Sequence, residues 1–472
     1  MSYGLIPMKD RQDALHRYEF LQKFLKESKQ FGAQRRASEA QCVQYAMKNM
    51  ATTAGYADEL RLTLAMETEL VTSNQKYFDG ITIGDYVTRI LVDADGKSEL
   101  KLFKKDKAVK SVPAALKKDE TFIDVKEFAS KLKNQYSRCV SMFERAMEEE
   151  DAYSYGELLQ LCRNPVTAGI LGRLVFVGAE TGDLVGTLEE LAVVEPALTE
   201  DAQLLVAHPI TLYRLGVLPK YQRLFFEKQQ ASGTKQPFKQ VFREFYPKLE
   251  EEKDALDSRL FAGYQIQPKK TVAALRGRRW VADYDEGLQK IFFKQNIAAT
   301  IYALADWFSP ADTECPTLEY VSFYDRKTYK QKKLSEVPDI LYSEVMRDVD
   351  LAVSVAHAGG VDPETSHSTI EMRKAIFEFN MELFGLTNVT FEGTHAFIKG
   401  TMGNYNIQLG SGVIHKESGG MVNILPVHSQ QRGKIFLPFI DEDPKTAEIL
   451  SKILLLAEDQ KIKDPYILQQ LR

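Results

Sequence analysis

Cysteine is scarce in this chain, and its four residues lie far apart. They are Cys42, Cys139, Cys162 and Cys315, and no two of them form a C-x-x-C pair. Scattered thiols of this kind are typical of proteins in a reducing compartment, and they argue against a structural zinc site built on cysteine. We therefore expect a cytoplasmic protein without a thiolate metal site.

Long apolar runs are also missing. The N-terminal stretch MSYGLIPMKD reaches charged residues within its first ten positions, which is not the pattern of a secretory signal. The apolar segment ILSKILLLAED is interrupted by Lys452 and is much shorter than the roughly 20 residues that a membrane helix needs. We expect no contact with a membrane.

Neither sign of charge dominates the chain. Its 61 basic residues stand against 66 acidic ones, which gives a formal net charge of −5. This balance argues against a protein that coats nucleic acid or an anionic membrane by charge alone, although a local basic patch stays possible. With 472 residues, of which 44% are hydrophobic, the chain is long enough for two or three domains with sizeable cores.

Hydrophobic periodicity predicts helices in the N-terminal and middle parts of the chain. Residues 9–72 carry apolar side chains at helical spacing, and the alternating runs of 85–105 flank a hairpin turn at Asp93–Gly96. Helical patterns return in 235–261 and in the more apolar stretch 285–308.

Strand patterns dominate near the C-terminus. Residues 389–440 are predicted to form a series of strands with glycine turns between them, and a closing helix is predicted from Pro444. The predicted fold class is α+β, with helical N-terminal and middle layers and a small C-terminal antiparallel sheet closed by a helix. Its predicted segments are a helical segment 1–75, a mixed, mainly helical domain 76–386, and a β-meander plus helix 387–472.

These C-terminal strands contain the main candidate for a ligand site. Five of the seven histidines fall within the 72 residues from His357 to His428, three of them in these strands, and a Gly-Ser-Gly corner precedes a loop with basic residues. Glycine corners can present backbone amides to an anion, and histidine is a common general base or metal ligand. The candidate ligand-binding residues are His395, Gly410, Ser411, Gly412, His428, Arg432 and Lys434. The alternative is that the glycines only bend a strand and the histidines are scattered polar residues of a sheet.

Predicted strand pairing separates two of these histidines. If HAFIKG pairs with YNIQLG, and if a hairpin at 417–420 pairs the next two strands, His395 faces Gly410 and His428 faces Leu409. Partners across strands share a face and sequence neighbours do not, so the two histidines would lie on opposite faces unless a bulge intervenes. No H-E-x-x-H, P-loop or G-x-S-x-G pattern is present. The sequence therefore assigns no catalytic residue, no cofactor and no metal site.

Arginine beside aromatic residues gives a second candidate site, for contact with nucleic acid. Its residues are Arg276, Arg278, Arg279 and Trp280. Arginine and aromatic rings are the usual groups for phosphate and base contact. The alternative is that these arginines cap a helix and pair with the acids that follow, Asp283, Asp285 and Glu286.

Two amphipathic patterns in the middle of the chain favour structural roles. In SEVMRDVDLAV, Glu344 and Asp348 share a helix face, and Arg347 and Asp348 are predicted to form solvated or interface salt bridges. In QPFKQVFREF, the phenylalanines form one helical stripe with Arg243 and Glu244 opposite, which indicates core packing.

Nine short stretches, taken together and in order, resemble an uncharacterised bacterial family. They include NPVTAGILGRLVFV, QPFKQVFREFY, LRGRRWVADYDEGLQK, SEVMRDVDLAV and YNIQLGSGVIHK. The family is the domain of unknown function found behind WGR modules in proteins labelled molybdate metabolism regulator (MolR). The resemblance implies regulatory systems that contain MoxR-type ATPases, with no established activity and no assigned catalytic residues. The family's proteins are usually longer, and no WGR pattern is visible here.

These observations lead to one principal expectation and two alternatives. The principal one is a non-enzymatic interaction or regulatory module of a larger bacterial MolR-like assembly, with protein partners and with nucleic acid bound only through other modules. The first alternative is an enzyme or binding domain for a phosphate-bearing ligand at the C-terminal sheet. The second is a nucleic-acid-associated module.

Overall fold

The computed structural model describes most of the chain. It covers residues 2–471 with the exception of 106, 110, 115, 181, 183, 284–286, 311–315, 357–366, 418, 420, 423 and 425–443. The chain forms two compact units, one made of Met1–Phe143 and Ala152–Leu205 and the other of Glu144–Asp151 and Val206–Arg472. The three predicted segments divide the chain at other places, and their boundaries stay predictions.

The first unit opens with helices. Its described α-helices are α1 (Arg11–Glu27), α2 (Ala33–Thr53), α3 (Glu59–Ser73), α4 (Lys76–Asp79), α5 (Glu120–Glu149), α6 (Tyr155–Leu161), α7 (Pro165–Leu171) and α8 (Leu188–Leu191). The residues of α5 from Glu144 onward belong to the second unit. Asp10 and Asp58 start α1 and α3, because each carboxylate accepts a backbone N–H of the first turn. The helical prediction for 9–72 is confirmed. Val71 of α3 packs in one apolar cluster with Val125 of α5, so this cluster spans the predicted boundary at 75.

Two four-stranded sheets accompany these helices. Their strands are β1 (Ile81–Ile83), β2 (Tyr86–Val92), β3 (Ser98–Lys104), β4 (Lys107–Ala108), β5 (Ala152–Ser154), β6 (Val175–Gly178), β7 (Val185–Thr187) and β8 (Gln203–Val206), in the orders β1-β2-β3-β4 and β5-β8-β6-β7. The predicted hairpin is confirmed, since β2 and β3 pair on either side of Asp93–Gly96. Gly96 has a φ of +81°, and a Cβ there would lie 2.3 Å from the Val166 carbonyl oxygen, so the turn requires glycine.

The second unit contains seven further helices and ten strands within the described ranges. The helices are α9 (Pro209–Arg214), α10 (Leu218–Ser232), α11 (Pro268–Arg276), α12 (Asp339–Ala356), α13 (His367–Phe384), α14 (Pro444–Ala457) and α15 (Pro465–Leu471). The strands are β9 (Asp257–Ser258), β10 (Trp280–Asp283), β11 (Gly287–Phe292), β12 (Ile297–Ala303), β13 (Leu318–Asp325), β14 (Val389–Glu392), β15 (His395–Lys399), β16 (Asn404–Gln408), β17 (Ile414–Lys416) and β18 (Met421–Val422). They form two five-stranded antiparallel sheets, β10-β11-β12-β13-β9 and β14-β15-β16-β17-β18.

The helix predicted for 285–308 is wrong, because these residues form β11 and β12. Burial alternates along both strands, with Leu288, Phe292 and Ile301 on the buried face. That face packs against Val345 and Val349 of α12 in one core. An alternating pattern with β-branched residues suits a half-buried strand, and this periodicity of two outweighs the apolar content that suggested a helix.

The helix predicted for 235–261 is also wrong. This segment runs without regular helix through most of its length, and burial is nearly continuous from Gln236 to Glu244. Pro237 and Pro247 stand inside the predicted helix, where each would remove a backbone donor. The segment is therefore buried on more than one side instead of presenting a single apolar stripe.

The C-terminal sheet confirms the predicted α+β class. Its strands are antiparallel, and α14, which begins at Pro444 as predicted, packs against β15 and β16. The predicted pairing of β17 with β18 is confirmed. The predicted partner of His395 is wrong, because His395 pairs with Gln408 and not with Gly410. The turn occupies 400–403, one position earlier than expected, so the register shifts by two residues.

Candidate functional site

The glycine corner between β16 and β17 is a closed turn. The Ser411 N–H donates to the side-chain oxygen of Gln408, and the Gly412 N–H donates to the Gln408 carbonyl at 2.8 Å. Gly412 has a φ of +71°, a conformation that favours glycine. Two of the amides that were expected to face an anion are therefore used within the turn.

The carbonyl groups of this corner bind cations from the neighbouring helices. Arg373 of α13 donates to the carbonyls of Leu409 and Gly410 at 2.9 and 3.0 Å. Lys452 of α14 donates to the carbonyl of Gly412 at 2.9 Å. The corner fastens the sheet to two helices, which favours the alternative that its glycines serve the geometry of the strand.

The remaining predicted ligand residues are only partly described. His395 lies on the same face of the sheet as His415, because their partners on β16 are two residues apart. Burial lowers the pKa of His395, and His415 lowers it further. His428, Arg432 and Lys434 lie outside the described residues.

The arginine-rich candidate is largely engaged within the second unit. Arg278 donates to one oxygen of Asp348 at 3.0 Å, and the Trp280 indole N–H donates to the other at 2.8 Å. Lys290 of β11 reaches that second oxygen at 2.7 Å. Asp348 is only 1% exposed, so its salt bridges, which were predicted to be solvated or at an interface, are buried within the second unit.

The other two arginines of this candidate lie closer to solvent. Arg279 pairs with Glu149 and lies 3.6 Å from Glu148, both near the end of α5. Arg276 is exposed at the end of α11. Arg278 and Arg279 therefore pair with acids that lie far from them in the sequence.

A fully buried arginine forms the centre of the ion network next to this cluster. Arg243 donates to both oxygens of Glu344 on α12, at 2.8 and 2.6 Å. It also donates to Glu144 at 2.6 Å and to Glu148, one helical turn further along α5. The irregular segment that carries Arg243 is therefore tied to two helices. The sequence pattern predicted Arg243 to lie opposite the core stripe, but the residue is only 2% exposed.

The protonation states in this network follow from burial and pairing. Burial would raise the pKa of Glu344, but Arg243 and a hydrogen bond from His208 hold it well below its usual range. Burial lowers the pKa of His208 despite this contact with Glu344. Burial and the Glu344 charge raise the pKa of Glu148. Near neutral pH, Glu344 is ionised and His208 is neutral.

The tautomer of His208 limits what this network can do chemically. The Ile210 N–H donates to Nδ1 at 3.2 Å, so Nδ1 is the acceptor nitrogen. Nε2 then carries the proton and donates to Glu344 at 3.0 Å. With both ring nitrogens bonded inside the protein, His208 has no free nitrogen for general base catalysis in this geometry. Within the described ranges, no group of three or more His, Cys, Asp or Glu side chains is placed to hold a metal ion.

An open face of the β10-β11-β12-β13-β9 sheet is a surface feature that was not predicted from the sequence. Opposite the face that packs on α12, it carries Tyr302 stacked on Tyr320 of the next strand, with centroids 4.6 Å apart and planes 8° from parallel. Tyr324 lies four residues further along β13 on the same face. We call this surface the aromatic face; its strand residues are Gln289, Ile291, Ala298, Thr300, Tyr302, Tyr320 and Tyr324.

Hydroxyl groups and two loops complete the aromatic face. The Thr300 and Ser322 hydroxyls lie 2.9 Å apart, and Ser322 donates to the Tyr324 hydroxyl at 3.2 Å. The loop after β12 adds Leu304 and Phe308, and the loop after β13 adds further side chains. The strands and the two loops surround an open depression of about 1060 Å³.

Exposure of large apolar side chains marks this depression as unusual. Leu304 is 84% exposed, Tyr329 is 72% exposed and Phe308 is 63% exposed. Several large apolar side chains exposed around one depression of a folded protein indicate an interaction site. Sequence reasoning missed it because the helix expected for 285–308 would have scattered these side chains around an axis. The alternation of Ala298, Thr300 and Tyr302 was the available signal.

Comparison with known proteins gives three partial matches to families of unknown function. A family of unknown function (DUF5724) matches residues 1–66, a domain of unknown function (DUF4132) matches 107–280, and another (DUF7737) matches 370–471. Each covers less than half of the chain, and β11 to β13 lie between the matched segments. No curated protein matches the chain, and no solved structure does. None of the helices in the described part is long and apolar enough to cross a membrane.

Proposed function

We propose that this chain is a non-enzymatic interaction module that binds a partner through the aromatic face. The observation that carries the proposal is the exposure of stacked and apolar rings, above all Tyr302, Tyr329 and Phe308, around one open depression. Aromatic residues contribute large contact area at low entropic cost, and they are enriched where proteins bind partners.

The state of the charged groups supports a binding role over a catalytic one. The groups with the strongest pKa shifts, Arg243 and Glu344, saturate one another in the interior of the second unit. Both ring nitrogens of His208 form hydrogen bonds inside the protein. Shifted pKa values can mark active sites, but buried structural ion pairs produce them too.

The proposal includes the larger assembly that the resemblance implies. The chain would act in a bacterial MolR-like system in the cytoplasm, with a protein partner such as a component of a MoxR-type ATPase system. The resemblance and the sparse, unpaired cysteines support this part, and the match of residues 107–280 to a domain of unknown function adds no activity to it.

The test compares partner recovery by the wild-type chain and a variant of the aromatic face. Tyr302→Ser with Tyr320→Ser removes the stacked pair from the surface without touching the core of the sheet. Phe397→Ser is the matched control, because Phe397 is an exposed aromatic residue, 40% accessible, on the other five-stranded sheet. Each tagged protein is isolated from cells in which it naturally occurs, after thermal melting has shown that all three fold.

The expected result is a partner in defined stoichiometry with the wild type and with Phe397→Ser, and its loss with the face variant. Equal recovery by all three proteins would contradict a role for the aromatic face. Turnover of a substrate by the purified chain would contradict the non-enzymatic part of the proposal.

A further inference from the structure

The aromatic face has two ends that differ in charge. At one end, near Tyr302, lie Asp283 and Asp306. At the other end, the chain leaves β13 in an exposed hairpin with the sequence RKTYKQKK, residues 326–333, which contains five basic residues and no acid. Arg326 and Lys327 of this hairpin line the depression itself. A ligand that lies along the face would meet aromatic rings first and positive charge next to them.

The stacked tyrosines favour a planar ring as the ligand group. Tyr302 and Tyr320 are nearly parallel, so a third flat ring can extend their stack. Tyr324 offers a further ring on the same face. Nucleobases are planar and stack on aromatic side chains irrespective of sequence, and such stacking is a main source of affinity for single strands.

Two hydroxyl groups of the face suit the polar edges of bases and sugars. Thr300 and Tyr324 line the depression, and the fully buried Ser322 hydroxyl beneath them lies 2.9 Å from that of Thr300 and donates to that of Tyr324. A hydroxyl group both donates and accepts, so those of Thr300 and Tyr324 can pair with the varied donors and acceptors of nucleobases.

The dimensions of the face fit a short piece of a polymer. From Ala298 to Tyr302 the strand advances about 14 Å, at about 3.4 Å per residue. Antiparallel sheets that bind RNA through surface aromatics stack two or three bases over a comparable area. The depression of about 1060 Å³ is open to solvent and is therefore accessible to a strand.

Asp325, the acidic residue that lines the depression near the basic hairpin, is engaged in local hydrogen bonds. The Asp325 carboxylate accepts the N–H groups of Lys327 and Thr328 and the amide of Asn296. Hydrogen bonds from Thr328 and Lys327 lower the pKa of Asp325, and they shape the hairpin that presents Arg326. The Arg326 guanidinium lies 4.7 Å from the centre of the Phe293 ring. Lys330 and Lys332 add two further positive charges to this hairpin.

We infer that the aromatic face binds single-stranded nucleic acid, with bases stacked on Tyr302, Tyr320 and Tyr324 and phosphates held by Arg326 and Lys327. This inference goes beyond the proposed function, because it gives the aromatic face a nucleic-acid ligand in addition to the protein partner proposed above. It places nucleic-acid contact on this chain itself, on a surface different from the arginine-rich stretch at 276–280. The overall charge of −5 and the acids at the far end of the face disfavour a duplex, which would need a long basic surface.

The experiment measures fluorescence anisotropy of labelled oligouridine and oligothymidine of about ten nucleotides, a length within the usual site size. The full chain is titrated at several salt concentrations. The stacking variant is Tyr302→Ser with Tyr320→Ser, and its control is Phe397→Ser. The charge variant is Arg326→Gln with Lys327→Gln. Its control is Lys117→Gln with Lys118→Gln, which removes two exposed lysines of the first unit.

The stacking variant is expected to bind at least about fivefold more weakly than the wild type, the factor that about 1 kcal/mol of lost stacking produces. The charge variant is expected to lower the slope of log affinity against log salt by about 0.7 for each cation removed. Both controls should bind like the wild type. A duplex of the same length should bind more weakly than either single strand.

Several results would overturn the inference. They are absence of binding to both oligonucleotides, unchanged binding by the stacking variant, equal affinity for a duplex, and equal affinity for a free mononucleotide. If the oligonucleotides do not bind but the stacking variant still loses a protein partner in cells, the inference fails and the interaction module stands. If the stacking variant retains every partner and every ligand, both fail.

Discussion

Replacement of Arg243 by methionine tests whether the buried ion network holds the second unit together. Methionine keeps much of the length of the side chain, so the main loss is the charge and its hydrogen bonds to Glu344, Glu144 and Glu148. The unit then contains three carboxylates that face one another without the cation between them.

The expected cost follows from the burial of Glu344. Loss of one partner of a buried pair lowers the free energy of unfolding by about 3–5 kcal/mol, because the other charge stays buried. Glu344 is 2% exposed and cannot reach solvent, whereas the side chains of Glu144 and Glu148 are 29% and 21% exposed and can be hydrated. We therefore expect Arg243→Met to cost about 3–5 kcal/mol near neutral pH, mostly through Glu344.

The cost should depend on pH in a defined direction. In the native protein the pKa of Glu344 is depressed, so its stabilising contribution is present above the unfolded pKa of about 4.3 and is lost only as the pH falls through the lower native pKa. Arg243 is the main group that lowers this pKa, ahead of His208 and Arg347, and burial opposes all three, so we expect the pKa of Glu344 in the variant to lie above the unfolded value. The variant then loses stability as the pH rises from the unfolded pKa of Glu344 to its raised native pKa. The difference between the two proteins is larger near pH 7 than near pH 5.

Urea unfolding followed by tryptophan fluorescence measures this difference. Both tryptophans of the chain, Trp280 and Trp307, are buried in the second unit, so the signal reports on that unit. The control is Arg145→Met, which removes a half-exposed arginine from its ion pair with Glu149. It should cost less than about 1 kcal/mol, because Glu149 keeps its pair with Arg279.

The reasoning would be refuted if Arg243→Met cost no more than Arg145→Met, or if the difference did not shrink at lower pH. As a further check, Glu344→Gln in the Arg243→Met protein should recover part of the loss, because a neutral amide needs no counter-charge.

Substitutions around the C-terminal sheet give further predictions, each measurable by thermal melting. Gly412→Val should destabilise the protein by about 2 kcal/mol or more, because φ is +71° and an added Cβ would lie 3.0 Å from Ile449; Gly277→Ala, at a φ of −65° in open space, should have little effect. Leu456→Asp should cost several kcal/mol, since Leu456 is fully buried in α14, whereas Leu454→Asp should cost clearly less because Leu454 is only half-buried. Equal melting temperatures within either pair would contradict the corresponding prediction.

Features with short-range causes could be predicted from the sequence. The hairpin at Asp93–Gly96 depends on a local turn with glycine at positive φ, and the start of α14 depends on Pro444. The N-terminal helices follow from caps and spacing within each segment. The α+β class follows from the sum of such local signals.

The aromatic face and the Arg243 network were not predicted in this way. The stretch 285–308 is apolar enough to suit a buried helix, and this apolar content obscured the local strand signal, the alternation of Ala298, Thr300 and Tyr302. The place of β12 in the sheet also depends on β13, which begins at Leu318. Arg243 lies in a stretch whose pattern predicted the polar face of a helix, and its carboxylate partners come from α5 and α12. These partners are distant in the chain, and no local pattern records them.

The same separation has a kinetic consequence for the irregular segment around Arg243. Its ion-pair partners Glu144, Glu148 and Glu344 are 95 to 101 residues away in the chain, on both sides. Contacts of such long range form after local ones, because closing large loops costs entropy before any contact rewards it. The segment should therefore become ordered late, once α5 and α12 are in place. Interactions formed after the folding transition state act as a brake on unfolding, so substitution of Arg243 should speed the loss of the native state and leave the rate of folding nearly unchanged.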